Sequence, residues 1–142
     1  MSILRVPVTS DDHIQGPDNA PVTLLEYGDY ECPHCGRAHS IVQQVQRYFG
    51  SRLRFVYRHF PLTEIHQFAE PAAETAEYAA FHGRFWEAHD MLFETGTSWV
   101  CLCFSQLCDT LGCPSGGFAT LLRTALSPIR CGAISSAAYA VE

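Results

Sequence analysis

Two cysteines separated by two residues lie in the stretch YECPHCGRAHSIV, residues 30–42. A pair with this spacing performs thiol-disulfide exchange when its first sulfur is held as a thiolate and its second sulfur can reach the first. The same spacing also supplies half of a four-ligand zinc site, and cysteines in an ordinary core are inert. The residues around the pair decide among these three chemistries.

The segments on either side of the pair predict a strand, then a helix, then a second strand. APVTLLEYGDY, residues 20–30, is typical of a short buried strand. RLRFVYRHF, residues 52–60, is rich in aromatic and β-branched residues and predicts the second strand. Between them, apolar residues recur at three- and four-residue steps and predict one face of a helix that ends near Gly50. These residues are Ile41, Val42, Val45, Tyr48 and Phe49. A right-handed crossover between two parallel strands is expected.

The pair falls where this helix begins. Free backbone N–H groups and the positive end of the helix dipole stabilise a thiolate on Cys32. Cys35, one helical turn later, can resolve a mixed disulfide by attacking the same sulfur. Pro33 fits the first turn, where no hydrogen bond is lost, and His34 adds a donor or a positive charge beside the sulfur. A stabilised thiolate favours the reduced form, so the Pro-His dipeptide biases the couple toward oxidising power.

Zinc binding and inert core sulfur are the competing interpretations. A zinc site needs a second pair of ligands, and the remaining cysteines offer none with matching spacing. They lie in an apolar segment and are first interpreted as small buried hydrophobic residues: Cys101, Cys103, Cys108, Cys113 and Cys131. We predict no metal and no cofactor, because two sulfurs carry the electrons themselves and the chain has no Gly-rich phosphate loop. Joint metal ligation by His39 and His59 is a remote alternative, since both are expected at the surface or as hydrogen-bonded structural residues.

Length and composition predict a single domain over residues 1–142. The formal net charge is −6 and every basic residue apart from histidine is an arginine, with no run of them, which excludes nucleic acid as an expected partner. The N-terminal apolar run is too short for a signal peptide, and no later segment approaches the length of a membrane span. We therefore expect a cytoplasmic protein without a membrane partner. In the cytoplasm, two closely spaced cysteines are more often catalytic or metal-binding than joined in a structural disulfide.

Residues 66–142 are predicted to form a helical layer within that domain. PAAETAEYAAF, residues 71–81, and RFWEAHDMLFE, residues 84–94, predict two helices separated by Gly83. Weaker helical signals follow in SQLCDTLG and FATLLRTAL. The large aromatic residues expected in the core are Tyr30, Phe85, Trp86 and Phe93.

The segments LLEYGDYECPHCGRAHSIV, FVYRHFPLTEIH and FWEAHDMLFE resemble the DsbA-like thiol-disulfide oxidoreductases of the thioredoxin superfamily. The resemblance covers residues 13–95 and continues more weakly beyond them. It implies an α/β thioredoxin-like fold with a helical insertion, in which Cys32 is the nucleophile and Cys35 the resolving thiol. It also implies that Glu26, six positions before the nucleophile, is a buried carboxylate with a raised pKa that relays protons for Cys35. A carboxylate facing solvent at a sheet edge is the alternative for Glu26.

The partners implied by this resemblance are proteins that carry thiols or disulfides, together with a redox recycling partner. Two other classes remain open. One is a glutathione-dependent transferase or isomerase of the same superfamily, although such an enzyme does not need the second cysteine that is kept here at Cys35. The other is a protein without catalysis that acts as a binding or metal-binding module.

The sequence departs from the family after residue 95. The family continues into a cis-proline loop and further strands, whereas no strand-like run follows Pro114 or Pro128. We expect a C-terminally truncated sheet that leaves one edge unpaired. Three consequences are open: a truncated copy with impaired activity, a homo-oligomer or other complex formed through that edge, or cover from the N-terminal segment ILRVPV.

Overall fold

The computed structural model describes residues 6–95 and 104–114. Within those residues, one sheet contains three strands: β1 (His13–Gln15), β2 (Val22–Gly28) and β3 (Leu53–His59). The same residues form four α-helices: α1 (Pro33–Phe49), α2 (Ala69–Phe81), α3 (Phe85–Glu94) and α4 (Phe104–Thr110). A 3-10 turn, Gly50–Arg52, joins α1 to β3. The fold is a thioredoxin-like α/β arrangement with added helices, as the sequence predicts.

The segments β2, α1 and β3 form the predicted crossover. β2 and β3 are parallel, with Val22 opposite Leu53 and Gly28 opposite His59. α1 begins at Pro33, whose fixed φ and missing N–H suit the first turn of a helix. It ends before Gly50, which has a φ of 52° and therefore lies in the left-handed region that favours glycine. This unit places the carboxyl end of β2 directly before the helix that carries the cysteine pair.

The N-terminal strand β1 was not predicted, because its length of three residues is too short for a periodic pattern. It pairs antiparallel with β3, which gives the strand order β1-β3-β2. Arg58 of β3 holds the segment that precedes β1: it donates to the Asp12 carboxylate at 2.6 and 2.8 Å and to the carbonyls of Val6 and Pro7 at 3.2 and 2.8 Å. The N-terminal segment therefore lies against β3.

Strand β2 has a partner on one side only among residues 6–95 and 104–114. Its ladder runs along β3, while Val22 and Tyr27 remain 43% and 39% exposed. Because β1 lies on the far side of β3, the N-terminal segment from residue 6 does not cover the free edge of β2. This agrees with the expected unpaired edge, and the predicted absence of the cis-proline loop stays a prediction, since Pro128 lies outside the described residues.

The core lies between β3 and the helices. Phe55 and Tyr57 of β3 belong to the same buried cluster as the alanines of α2, and their rings contact aromatic rings of α3. Small side chains on α2 allow the aromatic rings to fill the space between the layers. The predicted core aromatics Tyr30, Phe85 and Phe93 are buried, and Trp86 is half-buried against the same cluster.

The predicted apolar face of α1 is only partly covered. Ile41 and Tyr48 are 59% and 77% exposed. The residue that α1 buries completely is His39, which the sequence analysis expected at the surface or in a structural hydrogen bond. His59 is buried as well. The surface alternative is therefore wrong for both histidines, because aromatic rings and hydrogen-bonding partners from distant parts of the chain enclose them.

Several predictions fall on residues beyond those described. The helix FATLLRTAL and the cysteines Cys101, Cys103 and Cys131 lie there, and the side chain of Cys108 is not described either. Cys113 is buried as predicted. Of the helices in residues 6–95 and 104–114, none is both long enough and apolar enough to cross a membrane.

Candidate active site

Cys32 is the N-cap residue of α1. Its φ and ψ of −73° and 120° are extended, and its carbonyl accepts the N–H of Gly36 at 3.1 Å, which starts the helix. Its own N–H donates to the carbonyl of Asp29 at 3.2 Å, so the loop after β2 fixes the position of the residue. The side chain is half-buried and reachable from solvent. This is the place at a helix N-terminus where the dipole stabilises a thiolate.

Cys35 lies one turn along α1, close enough to Cys32 for each thiol to influence the ionisation of the other. Both residues are free thiols. Burial raises the pKa of Cys35 to about 11; a backbone hydrogen bond from Asp29 opposes this shift, while Cys32 and the charge of Glu26 add to it. Since a thiol with such a pKa stays protonated at neutral pH, Cys35 needs a base before it can attack. The structure thus places the two predicted cysteines one helical turn apart in different environments.

Glu26 lies on β2 opposite Tyr57 of β3 and is half-buried. Burial raises the pKa of its carboxyl group, in the direction that the sequence predicts. Its charge is one of the influences that raise the pKa of Cys35, which places the two groups within electrostatic reach of each other. A half-buried carboxyl this close to a buried thiol is a candidate to exchange a proton with it.

His34 and Pro33, between the two cysteines, are both exposed. Arg37, one turn along α1, donates a hydrogen bond of 2.8 Å to Nδ1 of His34. Nδ1 is therefore an acceptor, and this hydrogen bond is directed along the helix surface. The predicted role of His34 in stabilising the thiolate stays a prediction.

Two acidic residues that flank the loop before Cys32 were not predicted to matter. Buried Asp29 accepts the N–H of Glu31 at 2.8 Å, and it also accepts the N–H of Leu62 and Nδ1 of His66 at 2.9 and 2.8 Å. Glu31 accepts the N–H of Phe68 at 2.8 Å. Both carboxylates tie the loop that carries Cys32 to the loop that follows β3. An aspartate directly after a strand is a signal for such a turn, but its distant partners are not visible in the sequence.

Buried aromatic and polar groups lie behind the cysteine pair. The hydroxyl of Tyr30 is 3.1 Å from Nδ1 of His89, and the ring centroid of Tyr57 is 4.4 Å from that of His89. Burial raises the pKa of Tyr30 and of Tyr57 well above the usual value for a tyrosine. Both hydroxyls therefore stay protonated at neutral pH, and neither is a proton acceptor for Cys35 there.

Two groups of histidine and carboxylate side chains converge within the described residues. One contains His13, His59 and Glu77, and the other contains His39, His89 and Asp90; within each group the potential ligand atoms lie within 4.8 Å of one another. The structure therefore separates His39 from His59, and the remote alternative that they bind one metal together is wrong. Neither group was predicted, because each combines residues that are far apart in the chain.

Comparison with known proteins places this geometry in a family. A family model described as Thioredoxin matches residues 8–107, which includes the cysteine pair and the elements on both sides of it. The chain belongs to the thioredoxin family. The structural neighbours of this family member include DsbA-type proteins, as the resemblance in the sequence implied.

Two solved structures illustrate the likeness in fold. A thioredoxin-like oxidoreductase from Silicibacter pomeroyi superimposes with a TM-score of 0.67 at 23% identity, over 82% of this chain and 66% of that one. The alpha-DsbA1 protein of Wolbachia pipientis superimposes with a TM-score of 0.69 at 17% identity, over 85% of this chain and 63% of that one. The chain thus spans less than two thirds of these structures. At these identities the likeness concerns the fold.

Curated relatives that the chain matches at high identity are much longer proteins. The Na(+)/H(+) antiporter NhaA 1 of Salinispora arenicola is 52% identical over 90 residues, which is 63% of this chain and 14% of the antiporter. The thioredoxin family member therefore matches only about a seventh of that protein.

Proposed function

We propose that this thioredoxin family member exchanges disulfides with thiols of protein substrates through its Cys-Pro-His-Cys centre. The observation that carries the proposal is the pairing of a half-exposed Cys32 at the start of α1 with Cys35, a protonated thiol one turn away on the same helix. Such a pair holds one sulfur ready to attack and a second sulfur ready to finish the exchange.

In the reductive direction, the thiolate of Cys32 attacks a substrate disulfide. A bond forms between the sulfur of Cys32 and one substrate sulfur, and the other substrate sulfur leaves as a thiolate that takes up a proton. Cys35 then loses its proton and attacks the sulfur of Cys32, which releases the second substrate thiol. The substrate disulfide gains two electrons and the Cys32 and Cys35 thiols become a disulfide; in the reverse direction, a substrate dithiol is oxidised.

Glu26 is the proposed proton acceptor for Cys35 in the second step. The pKa of Cys35, raised by burial to about 11, makes a base necessary, and the raised pKa of the nearby half-buried carboxyl makes Glu26 a suitable one. A water molecule would carry the proton between the two groups. Pro33 begins the helix and lets Cys32 lie at its dipole, while His34 is exposed beside the pair where a substrate approaches.

Trapping of the mixed disulfide tests the proposal. Reduced Cys35→Ser protein is expected to accumulate a covalent adduct with insulin, a protein that carries disulfides, because the second step is blocked. Cys32→Ser protein should form none, and Cys113→Ala, which changes a buried thiol away from the pair, should turn over like the parent. Non-reducing gels and peptide mass spectrometry measure the adducts. Full turnover by both active-site variants would refute the assignment.

The unpaired edge of β2 favours a second candidate, an impaired protein that binds a partner through that edge. A homo-oligomer formed in this way belongs to the same candidate. Light scattering of the purified chain measures its mass in solution, and a monomer with full turnover of insulin would exclude this candidate. A cytoplasmic location and an unidentified redox recycling partner complete the proposal; fractionation of cells and capture with the Cys35→Ser variant test them.

A further inference from the structure

Helices α1 and α3 bring together a second set of groups that the redox chemistry does not use. His39 is fully enclosed and lies one turn after Cys35 on α1, while His89 and Asp90 are neighbours on α3. One ligand atom from each of the three lies within 4.8 Å of the others. The ring centroids of the two histidines are 5.2 Å apart.

The distance between His39 and Asp90 suits two ligands of one metal ion. Zinc lies about 2.0–2.2 Å from nitrogen and carboxylate ligands, so two ligands of a tetrahedral ion are about 3.3–3.5 Å apart. Nε2 of His39 and Oδ1 of Asp90 are 3.5 Å apart. Two imidazoles and one carboxylate, with a fourth position for water, form a ligand set that zinc uses in proteins.

A histidine that binds a metal usually donates its other ring N–H to a hydrogen-bond partner, and His89 has such a partner. Its Nδ1 lies 3.1 Å from the hydroxyl of Tyr30, and a ring that donates its Nδ1–H there keeps the lone pair on Nε2. Burial lowers the pKa of His39 and, to about 2, that of His89, so both rings are neutral and ready to coordinate at pH 7. Burial also raises the pKa of Asp90, an anion that a cation would stabilise.

A route for the ion is open on one side. The side chain of Asp90 is 46% exposed, whereas that of His39 is 8% exposed. Gln43, on the next turn of α1, has its amide nitrogen 3.1 Å from Nε2 of His39, so the amide borders the same space. The amide oxygen after rotation, or a water from the exposed side, completes four ligands.

The group of His13, His59 and Glu77 is less suited to bind a metal ion. Oε1 of Glu77 is 2.5 Å from Nε2 of His13 and 3.0 Å from Nε2 of His59, which are distances for a shared proton. A metal on Nε2 would move the proton of His59 to Nδ1, which is buried and has no hydrogen-bond partner among the described residues. An unsatisfied buried donor costs about 1–3 kcal/mol.

We propose that His39, His89 and Asp90 form a binding site for a divalent metal ion of the zinc class between α1 and α3. The bound ion would link α1, which carries the redox pair, to α3 of the helical layer. The ligands contain no sulfur, so the site binds whether Cys32 and Cys35 are reduced or oxidised.

Titration of the oxidised protein with Zn²⁺ tests the site, since the disulfide removes both active-site thiols as ligands. The parent is expected to bind Zn²⁺ in calorimetry. Asp90→Asn should weaken this binding by about 10- to 100-fold, the range for lost metal-site interactions. Glu94→Gln removes the same charge one turn along α3 and should bind like the parent. His13→Gln, which alters the other group, should also bind like the parent.

Two further measurements complete the test. His39→Gln removes a second ligand and should also lose the binding, while circular dichroism verifies that each variant is folded. Co²⁺ bound to the parent should show absorption typical of tetrahedral nitrogen and oxygen ligands. Failure of the oxidised parent to bind Zn²⁺, undiminished binding by Asp90→Asn, or a sulfur-to-cobalt charge-transfer band would each overturn the proposal.

Discussion

Cys32 and Cys35 lie one helical turn apart, and they occupy different environments at the start of α1. Cys32 is the half-exposed N-cap of α1, whereas the pKa of Cys35 is raised to about 11, first by burial and then by its neighbours. The asymmetry sets the order of events in the proposed exchange. In the proposed exchange, Cys32 reacts with the substrate first. Cys35 reacts only after a base has removed its proton.

Alkylation with iodoacetamide should separate the two thiols. A rise in pKa from the ordinary thiol value of 9.0 to about 11 reduces the thiolate fraction of Cys35 at pH 7.5 by about 100-fold. Peptide mass spectrometry should therefore find Cys32 modified first, and modification of Cys35 should accelerate only at strongly alkaline pH. Faster modification of Cys35 than of Cys32 at pH 7.5 would contradict the assigned order.

Glu26→Gln should slow the second step of the exchange by about 100-fold at neutral pH, the contribution typical of a general base. In the parent the rate of this step should rise with pH as Glu26 ionises, and in the variant this rise should vanish. Stopped-flow decay of a preformed mixed disulfide measures the rate. Glu64→Gln, in the exposed loop after β3, is the matched control and should follow the parent profile.

The same Glu26→Gln variant should be more stable than the parent at neutral pH. Burial raises the pKa of this carboxyl in the folded state, so its contribution is lost as pH rises above the unfolded value of about 4.5. A neutral amide removes that loss. The free energy of unfolding in urea, measured at pH 4 and pH 7.5, should differ less in the variant. An unchanged pH dependence would show that the carboxyl is hydrated.

Local patterns predicted the centre of this fold. Strand β2, helix α1 and strand β3 follow from alternation and helical periodicity, and the position of Cys32 follows from Pro33 and the end of β2. The partners of the buried polar groups were not predictable, because Glu77 meets His13 across 64 positions of the chain. Periodicity shows which residues share a helix face, but it does not show how much of that face other elements cover. Ile41 lies on the predicted apolar face of α1 and is nevertheless exposed.

Gly28→Ala should destabilise the protein by about 1–3 kcal/mol, the usual cost of overpacking a core. A Cβ at this position would lie 2.6 Å from the hydroxyl of Tyr57, and the Tyr57 side chain is fully enclosed and has no room to move. Gly36→Ala is the control: a Cβ there meets nothing within 4 Å, and alanine stabilises a helix interior by about 0.5–1 kcal/mol. Urea unfolding curves measure both changes, and equal stability of the two variants would refute the packing argument.

Asp12→Asn should destabilise the protein by about 1–3 kcal/mol and loosen the N-terminal segment. The guanidinium of Arg58 would lose its carboxylate partner while its side chain stays 7% exposed. The expected cost is below that of a deeply buried pair, because only the N-terminal segment covers the interaction. Limited proteolysis should then cleave near Val6 and Pro7 faster than in the parent. Asp11→Asn, the exposed neighbour, should leave both the cleavage rate and the stability unchanged.

Acid should unfold the protein partly through Glu77. Burial raises the pKa of this carboxyl, but hydrogen bonds from His13 and His59 outweigh burial and bring it well below its usual value. Because the folded pKa is lowered, the stabilisation is present above the unfolded value of about 4.5 and is lost as pH falls below it.

Burial lowers the pKa of His59, so the unfolded chain also takes up a proton there as pH falls below about 6.5. Both groups act in the same direction. The free energy of unfolding should therefore fall between pH 6.5 and pH 3.5. In Glu77→Gln the fall below pH 4.5 should be smaller than in the parent, while Glu70→Gln, an exposed carboxyl on the same helix, should keep the full fall. A parent whose stability is constant over this range would exclude the hydrogen-bonded arrangement of Glu77.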